Sequence, residues 1–430
     1  MDTIERENKK NLKVSKLADN IIGSEIIKIA GEINEKISNG EKIFNLTIGD
    51  FNPTLFPIPA ELKKAILAAY DAEETNYPAA EGMPELRKAV SKLLKSKANL
   101  DYPPEQILIA AGARPLIYTI FRVLVDEGDA VIFPVPSWNN NHYTYLNGAR
   151  SILIETKPEN NFMPTAAEIK PHIQKAVLIS LCSPLNPTGT VFTKESLTQI
   201  CNLIIEENER RNPDEKPVYL MYDQIYWGLT HGKTQHFDPV SLVPAMKEFT
   251  IYVDGISKSL AATGVRVGWS MGPKKIINKM RSILTHIGAW APKAEQVATG
   301  KYLNNLDQYE DFLSNIKTKL SERLTGFYNG FQTLKKEGFK VNAIPPQAAI
   351  YLTVQFSLHG LQTENGKLLA TTTDITKYIL DEAKVGLVPF YAFGSSEDSS
   401  WYRLSVGTCA LTDIEVIIEN LRKALQKLKV

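Results

Sequence analysis

Lys258 follows Ser257 a few residues beyond the apolar run Thr250–Val253, in Asp254-Gly255-Ile256-Ser257-Lys258. An amine at the end of a buried strand loses its proton more readily than one in water. It can condense with a carbonyl and then carry a proton to and from a carbon atom. Asp223 closes a second apolar run, Val218–Tyr222, and Tyr226 stands three residues further on. Arg266, in Thr263-Gly264-Val265-Arg266-Val267-Gly268, offers a planar fork of donors suited to an anion, and so does Arg403 in Trp401-Tyr402-Arg403-Leu404-Ser405. Gly112-Ala113-Arg114 leads from Gln106–Ala111 into helical text. Its backbone N–H groups can form an anion nest at a helix start. Asn186 lies in Ser183-Pro184-Leu185-Asn186-Pro187-Thr188-Gly189, after the run Ala176–Leu181. Trp138, beyond Ala130–Phe133, offers a flat apolar face.

The elements that must hold these residues alternate. Strands are expected at Gln106–Ala111, Ala130–Phe133, Arg150–Glu155, Ala176–Leu181, Val218–Tyr222 and Thr250–Val253. Helices are expected at Pro59–Ala72, Pro84–Ala98, Pro115–Leu124 and Lys194–Glu206. Continuous apolar strands between helices imply a mainly parallel sheet covered on both faces. Ligands of such sheets bind beyond the carboxyl ends of the strands. Five of these strands, Gln106–Ala111, Ala130–Phe133, Ala176–Leu181, Val218–Tyr222 and Thr250–Val253, end in polar or glycine-containing text at that edge. Upstream, Ile21–Ile37 has helical periodicity, with Ile26, Ile27, Ile29, Ala30, Ile33 and Ile37 on one face, and Ile43–Ile48 reads as a short strand. Downstream come long helical text over 300–337, strands at Ala348–Val354 and Trp401–Ser405, and helices at Asp374–Ala383 and Ile414–Leu428. These form a second, α+β unit.

Taken singly, each residue has an ordinary reading. Asp223 suits a helix N-cap, Asn186-Pro187 a turn, Trp138 a core, and the lysine and arginines a solvated surface. Their order and spacing carry the weight. With N-P-T-G at 186–189, D-x-x-Y at 223–226, S-K at 257–258, R-x-G at 266–268 and R-L-S at 403–405, the chain resembles the fold-type I aminotransferases that use pyridoxal phosphate. In particular it resembles the aspartate aminotransferase superfamily, from about Asn20 to the C-terminus.

The resemblance implies a three-layer α/β/α large domain over 56–310. A smaller α+β domain would join 21–55 to 311–430, after an N-terminal arm at 1–20. It implies pyridoxal 5′-phosphate on Lys258, with Asp223 at the pyridine nitrogen, where it keeps the ring an electron sink. Tyr226 and Asn186 would meet the phenolic oxygen, and Trp138 would stack on the ring. Gly112, Ala113, Arg114, Ser257 and Arg266 would hold the phosphate. Tyr77 would reach the phosphate of the neighbouring subunit of a homodimer. Arg403 and the backbone of Gly49 would take the substrate carboxylate. The resemblance also implies a cis bond at Asn186–Pro187. The expected reaction moves an amino group from an L-amino acid, aspartate-like or aromatic, to a 2-oxo acid. The same scaffold also carries β-eliminating lyases, a cyclopropane-forming synthase and non-catalytic effector modules. The modules follow a DNA-binding domain, for which about twenty polar residues are too few.

This sequence departs from the family pattern in places. Ala113 replaces a usual hydroxyl residue. The stretch between Asn186 and Asp223 is longer than usual, and the charged text from Glu206 to Lys216 suits a surface loop. Phe390 and Tyr391 stand where many relatives have small residues and are expected to reshape the substrate entrance. Lys293 is either a reader of a side-chain carboxylate or a surface lysine.

Composition agrees with a soluble globular protein. Of 430 residues, 43% are hydrophobic and 23% charged, close to globular averages. Lys plus Arg is 49 and Asp plus Glu 48, a net charge of +1 without the basic excess of nucleic-acid binders. No apolar run approaches the roughly 18 residues of a membrane helix. Met1 to Leu12 carries both charge signs, so no secretory signal is expected. Three scattered cysteines and six histidines show neither disulfide nor metal spacing, so no metal is assigned and a reducing cytoplasm is expected.

Overall fold

The computed structural model describes residues 13–21, 23 and 25–429. Residues 1–12 of the expected arm lie outside them. The first strand, β1 (Phe44–Asn45), is shorter than the expected Ile43–Ile48. Its one neighbour is a strand near the other end of the chain, described below.

Seven strands follow: β2 (Ile107–Ala110), β3 (Ala130–Val135), β4 (Arg150–Glu155), β5 (Ala176–Cys182), β6 (Tyr219–Asp223), β7 (Thr250–Gly255) and β8 (Gly268–Met271). They form one sheet in the order β2-β8-β7-β6-β5-β3-β4. The pairs from β4 through β7 are parallel. β8 runs antiparallel to both β7 and β2. β8 carries no periodic signal: it is four residues long and opens on glycine, and the sequence reading passed over it.

The central strands feed two separate cores, one on each face of the sheet. Ile107 and Ile109 join Ile132, Ile179, Leu220 and Tyr252 on one face. Helices Pro84–Ala98 and Lys194–Arg210 cover it with Leu86, Leu93, Leu197 and Ile204. Leu108 and Ala110 join Val131, Leu178 and Val253 on the other. Helices Ala113–Leu124 and Lys274–Ile287 close that side with Leu116, Ile120, Met280 and Leu284. Each such side chain contributes roughly 1.5–3 kcal/mol by burial. The result is the expected three-layer α/β/α arrangement.

Four further strands, β9 (Val341–Ala343), β10 (Tyr351–Phe356), β12 (Val388–Pro389) and β13 (Trp401–Ser405), make an antiparallel sheet in the order β12-β13-β10-β9. The 31-residue helix Leu306–Lys336 packs beside it, and helix Asp413–Gln426 packs on that helix. β11 (Val385–Gly386) lies apart and pairs in parallel with β1, so the chain near residue 44 is tied to the chain near 385.

Two local expectations need correction. The helix from Lys194 does not stop at Glu206 but runs to Arg210. Its charged end is helical because the buried Glu207 carboxylate receives Arg210 at 2.8 Å and Arg211 at 2.9 Å, three and four residues on. The helix expected over Ile21–Ile37 is Glu25–Ser38, and only Ile29 and Ile33 of its apolar face are buried. Among the described residues, no helix is long and apolar enough to cross a membrane.

Candidate active site

A cavity of about 710 Å³ opens at the carboxyl ends of β5, β6 and β7. Its wall includes Gly49, Ala113, Arg114, Trp138, Asn186, Asp223, Tyr226, Ser257, Lys258, Arg266 and Arg403. Sequence positions from 49 to 403 thus meet at the sheet edge where the strand endings placed them.

Lys258 sits in the short helix Ile256–Ser259, handed on directly by β7. A Cβ at Gly255 would lie 2.8 Å from the Gly268 Cα, so the glycine lets β7 and β8 close up just before the lysine. The Lys258 amine donates to the Gly49 carbonyl at 2.7 Å. Burial brings its pKa from 10.5 down to about 8. Asp50 pulls it back up, while Arg403, Arg114 and Arg266 press it further down. Asp223 ends β6, and its Oδ1 accepts from the Ile225 N–H at 3.0 Å. Burial pushes this carboxyl up to about 6, with the nearby Lys258 opposing.

The arginines are held by carbonyl, amide and aromatic groups. Arg266 donates to the carbonyls of Thr263 at 2.7 Å and Ala111 at 2.8 Å. Its own φ is +61°, a conformation that costs a non-glycine residue energy and that these two bonds stabilise. Gly112, at φ +84°, caps the helix Ala113–Leu124, and a Cβ there would collide with the Arg266 guanidinium. The nest and the fork are therefore one packed unit. Arg403 donates to Asn186 Oδ1 at 2.9 Å and to the Thr47 carbonyl at 2.6 Å, while its buried Nε meets no acceptor among the described residues. The Asn186–Pro187 bond is cis. The Arg114 guanidinium lies 4.7 Å from the Trp138 ring centre.

Other expected residues fall elsewhere. Tyr77 is 84% exposed and sits edge-on to Trp290, away from this cavity. Lys293 is bound to Glu74 at 2.7 Å and to Asn76 at 2.6 Å and does not line this cavity. Phe390 is no entrance residue: it is fully buried in an aromatic cluster with Phe162, and neither it nor Tyr391 lines the cavity. Phe393 instead lies 4.9 Å from the Arg403 guanidinium.

The structure adds residues the sequence reading missed. Asp50 lines the cavity and accepts from the Thr263 hydroxyl at 2.6 Å. Its place directly after Gly49 was the available signal. Tyr351, from β10, bonds the Tyr226 hydroxyl at 2.6 Å. Asn140 receives the Ser180 hydroxyl at 2.8 Å beneath the cavity. Ile26, Ile27 and Ala30 of helix Glu25–Ser38 form an apolar wall, which explains why half of that face is not in the core.

The family model for aminotransferase class I and II matches residues 41–421, nearly the whole chain. The chain belongs to this aminotransferase family. The aspartate aminotransferase of Bacillus sp. (strain YM-2) is 30% identical over 93% of this aminotransferase and 95% of its own length. Among solved structures, the aspartate aminotransferase of Rhizobium meliloti superposes with a TM-score of 0.89 at 26% identity, over 97% of this chain and all of that one. The Thermus thermophilus aspartate aminotransferase with maleate gives 0.83 at 25% identity, over 96% and 100%.

Proposed function

We propose that this aminotransferase holds pyridoxal 5′-phosphate on Lys258 and moves an amino group from an L-amino acid to a 2-oxo acid in two half-reactions. The observation that carries the reading is the convergence of Lys258, Asp223, Arg266 and Arg403 on one cavity, with the amine shifted toward its neutral form. The site also fits the group: Gly112, which starts the helix Ala113–Leu124, lies so close to the Arg266 guanidinium that a Cβ would not fit between them, which sets backbone N–H donors and a fixed cation side by side for a phosphate. When bound, the cofactor supplies an aldehyde for amines and a ring that takes up electrons.

The chain's own residues do the rest. The nest at Gly112, Ala113 and Arg114, with Ser257 and Arg266, holds the phosphate. Asp223 keeps a proton on the pyridine nitrogen, and Asn186 and Tyr226 face the phenolic oxygen. Trp138 packs against the ring. Arg403 orients the α-carboxylate, and the Gly49 backbone closes beside it. Lys258, released by substrate, shuttles the proton at the α-carbon.

Aspartate-like and aromatic donors both remain within the reading. The names of the relatives favour aspartate, and the Ile26–Ala30 wall favours apolar side chains. The relatives' names give no support to a lyase, synthase or effector module. The reading includes a cytoplasmic homodimer in which Tyr77 serves the neighbouring site. It also includes a large domain over 56–310 and a smaller one joining 21–55 to 311–430, supported by the β1–β11 pairing.

The test is the visible spectrum of the cofactor-loaded protein as amino acids are added singly without an oxo acid. Loss of the yellow band with one donor is expected, and names that donor. A protein that takes up no cofactor would refute the assignment. Lys258→Ala should fold normally, bind no cofactor covalently and turn nothing over.

A further inference from the structure

Tyr351 belongs to β10 of the small sheet, yet its hydroxyl lies inside the site. It bonds the Tyr226 hydroxyl at 2.6 Å, with the two rings 5.6 Å apart at 67°. Both residues are at least 97% buried. A Cβ at Gly49 would sit 2.7 Å from the Tyr351 hydroxyl, so the oxygen is wedged against the residue whose carbonyl takes the Lys258 amine. The Arg403 guanidinium lies 4.8 Å from the Tyr351 ring centre. One phenol thus touches the surroundings of three residues assigned to chemistry.

Proton accounting gives this contact a direction. A phenol has one proton to donate and lone pairs to accept with. Burial holds both hydroxyls in their protonated form. If Tyr226 spends its proton on the phenolic oxygen of the cofactor, it cannot also donate to Tyr351. Tyr351 must then be the donor, and a donor behind a donor strengthens the forward bond.

We propose that Tyr351 is a positioning residue: its hydroxyl donates to Tyr226 and so aims the single Tyr226 proton at the cofactor's phenolic oxygen. The proposal rests on the reading of the site as a pyridoxal phosphate site. It assigns the small sheet a part in holding the cofactor in addition to its part in holding substrate through Arg403.

The experiment is equilibrium binding of two non-covalent probes, pyridoxamine 5′-phosphate and its 3-deoxy analogue, which lacks the phenolic oxygen. Cofactor-free protein is used, as wild type, Tyr351→Phe, Tyr226→Phe and the double variant. Tyr351→Phe keeps the ring beneath Arg403 and removes one oxygen. It should weaken pyridoxamine phosphate by about three- to tenfold, the worth of one neutral hydrogen bond, and leave the 3-deoxy analogue unchanged. In the Tyr226→Phe background it should add nothing. Equal weakening of both probes, or of neither, would overturn the proposal. Should Tyr351→Phe not fold, Tyr226→Phe still decides: a variant that discriminates between the probes as wild type does would remove the bond that Tyr351 is held to aim. Wild type that binds neither probe would refute the cofactor reading itself, whereas wild type that discriminates between the probes while Tyr351→Phe discriminates just as well refutes this inference alone.

Discussion

The Lys258 amine and the Gly49 carbonyl oxygen meet at 2.7 Å, across 209 positions of sequence. The contact holds the lysine side chain against the segment that carries Asp50. That acid favours the charged amine, against burial and three arginines that favour the neutral one. The balance sets when the lysine can attack.

Capture of pyridoxal phosphate by the cofactor-free protein should therefore follow the neutral fraction of Lys258. The rate should climb about tenfold per pH unit below about 8 and level off above it. Asp50→Asn removes the group that keeps the amine charged, so its midpoint should move to lower pH. Stopped-flow growth of the visible band measures both. A midpoint that stays fixed in the variant would exclude Asp50 from this role.

Arg403→Lys should raise KM for amino acids and 2-oxo acids alike, by about 10- to 100-fold. Lysine cannot reproduce a forked donor pair held by Asn186 and Thr47. The order of preference among donors should survive, because the α-carboxylate is common to all of them. Steady-state kinetics with three donors is the check.

Gly112→Ala should cost the protein in two ways. The backbone is at φ +84°, and the new methyl runs into Arg266. Strain of this kind costs roughly 1–3 kcal/mol, visible as a lower Tm of the cofactor-free protein. The displaced arginine should also weaken binding of inorganic phosphate, read by equilibrium titration.

Asp254 gives a pH test of stability. It is buried beside the site, where Trp227 Nε1 donates to it at 2.9 Å and the Gly255 N–H at 2.7 Å. Burial is the main cause that raises its pKa from 3.8 to about 8. The folded state therefore keeps a proton that the unfolded chain has lost. Between about pH 4 and 8 this retained proton makes stability fall as pH rises, by up to about 1.4 kcal/mol per unit. Asp254→Asn, which cannot ionise, should flatten that slope in urea unfolding measured at pH 5, 6 and 7.

Much of this architecture is legible in local text. The six-residue run Ala176–Leu181 announces β5 and the four-residue run Thr250–Val253 announces β7, and the polar residues that follow them announce the sheet edge. Chemistry that depends on one strand ending, such as Asp223 or Lys258, was readable for that reason. Chemistry that depends on two distant segments was not. Nothing near Tyr351 in sequence signals a partner at Tyr226, and nothing near Lys293 signals Glu74. Phe390 misled because an aromatic in a loop looks the same whether it faces a ligand or Phe162. β8 was missed because two glycine-spaced contacts, at Gly255 and Gly268, do the work that hydrophobic periodicity does elsewhere.

The bonds around Arg403 also say where this function resides in the chain. Its guanidinium is fixed by Asn186, 217 positions away, and by Thr47, 356 away. Each added separation of this kind raises the loop-closure cost, though only slowly with length. The carboxylate-binding site is therefore a property of the tertiary structure and of no single segment: three parts of the chain that are strangers in sequence must already be together before it exists.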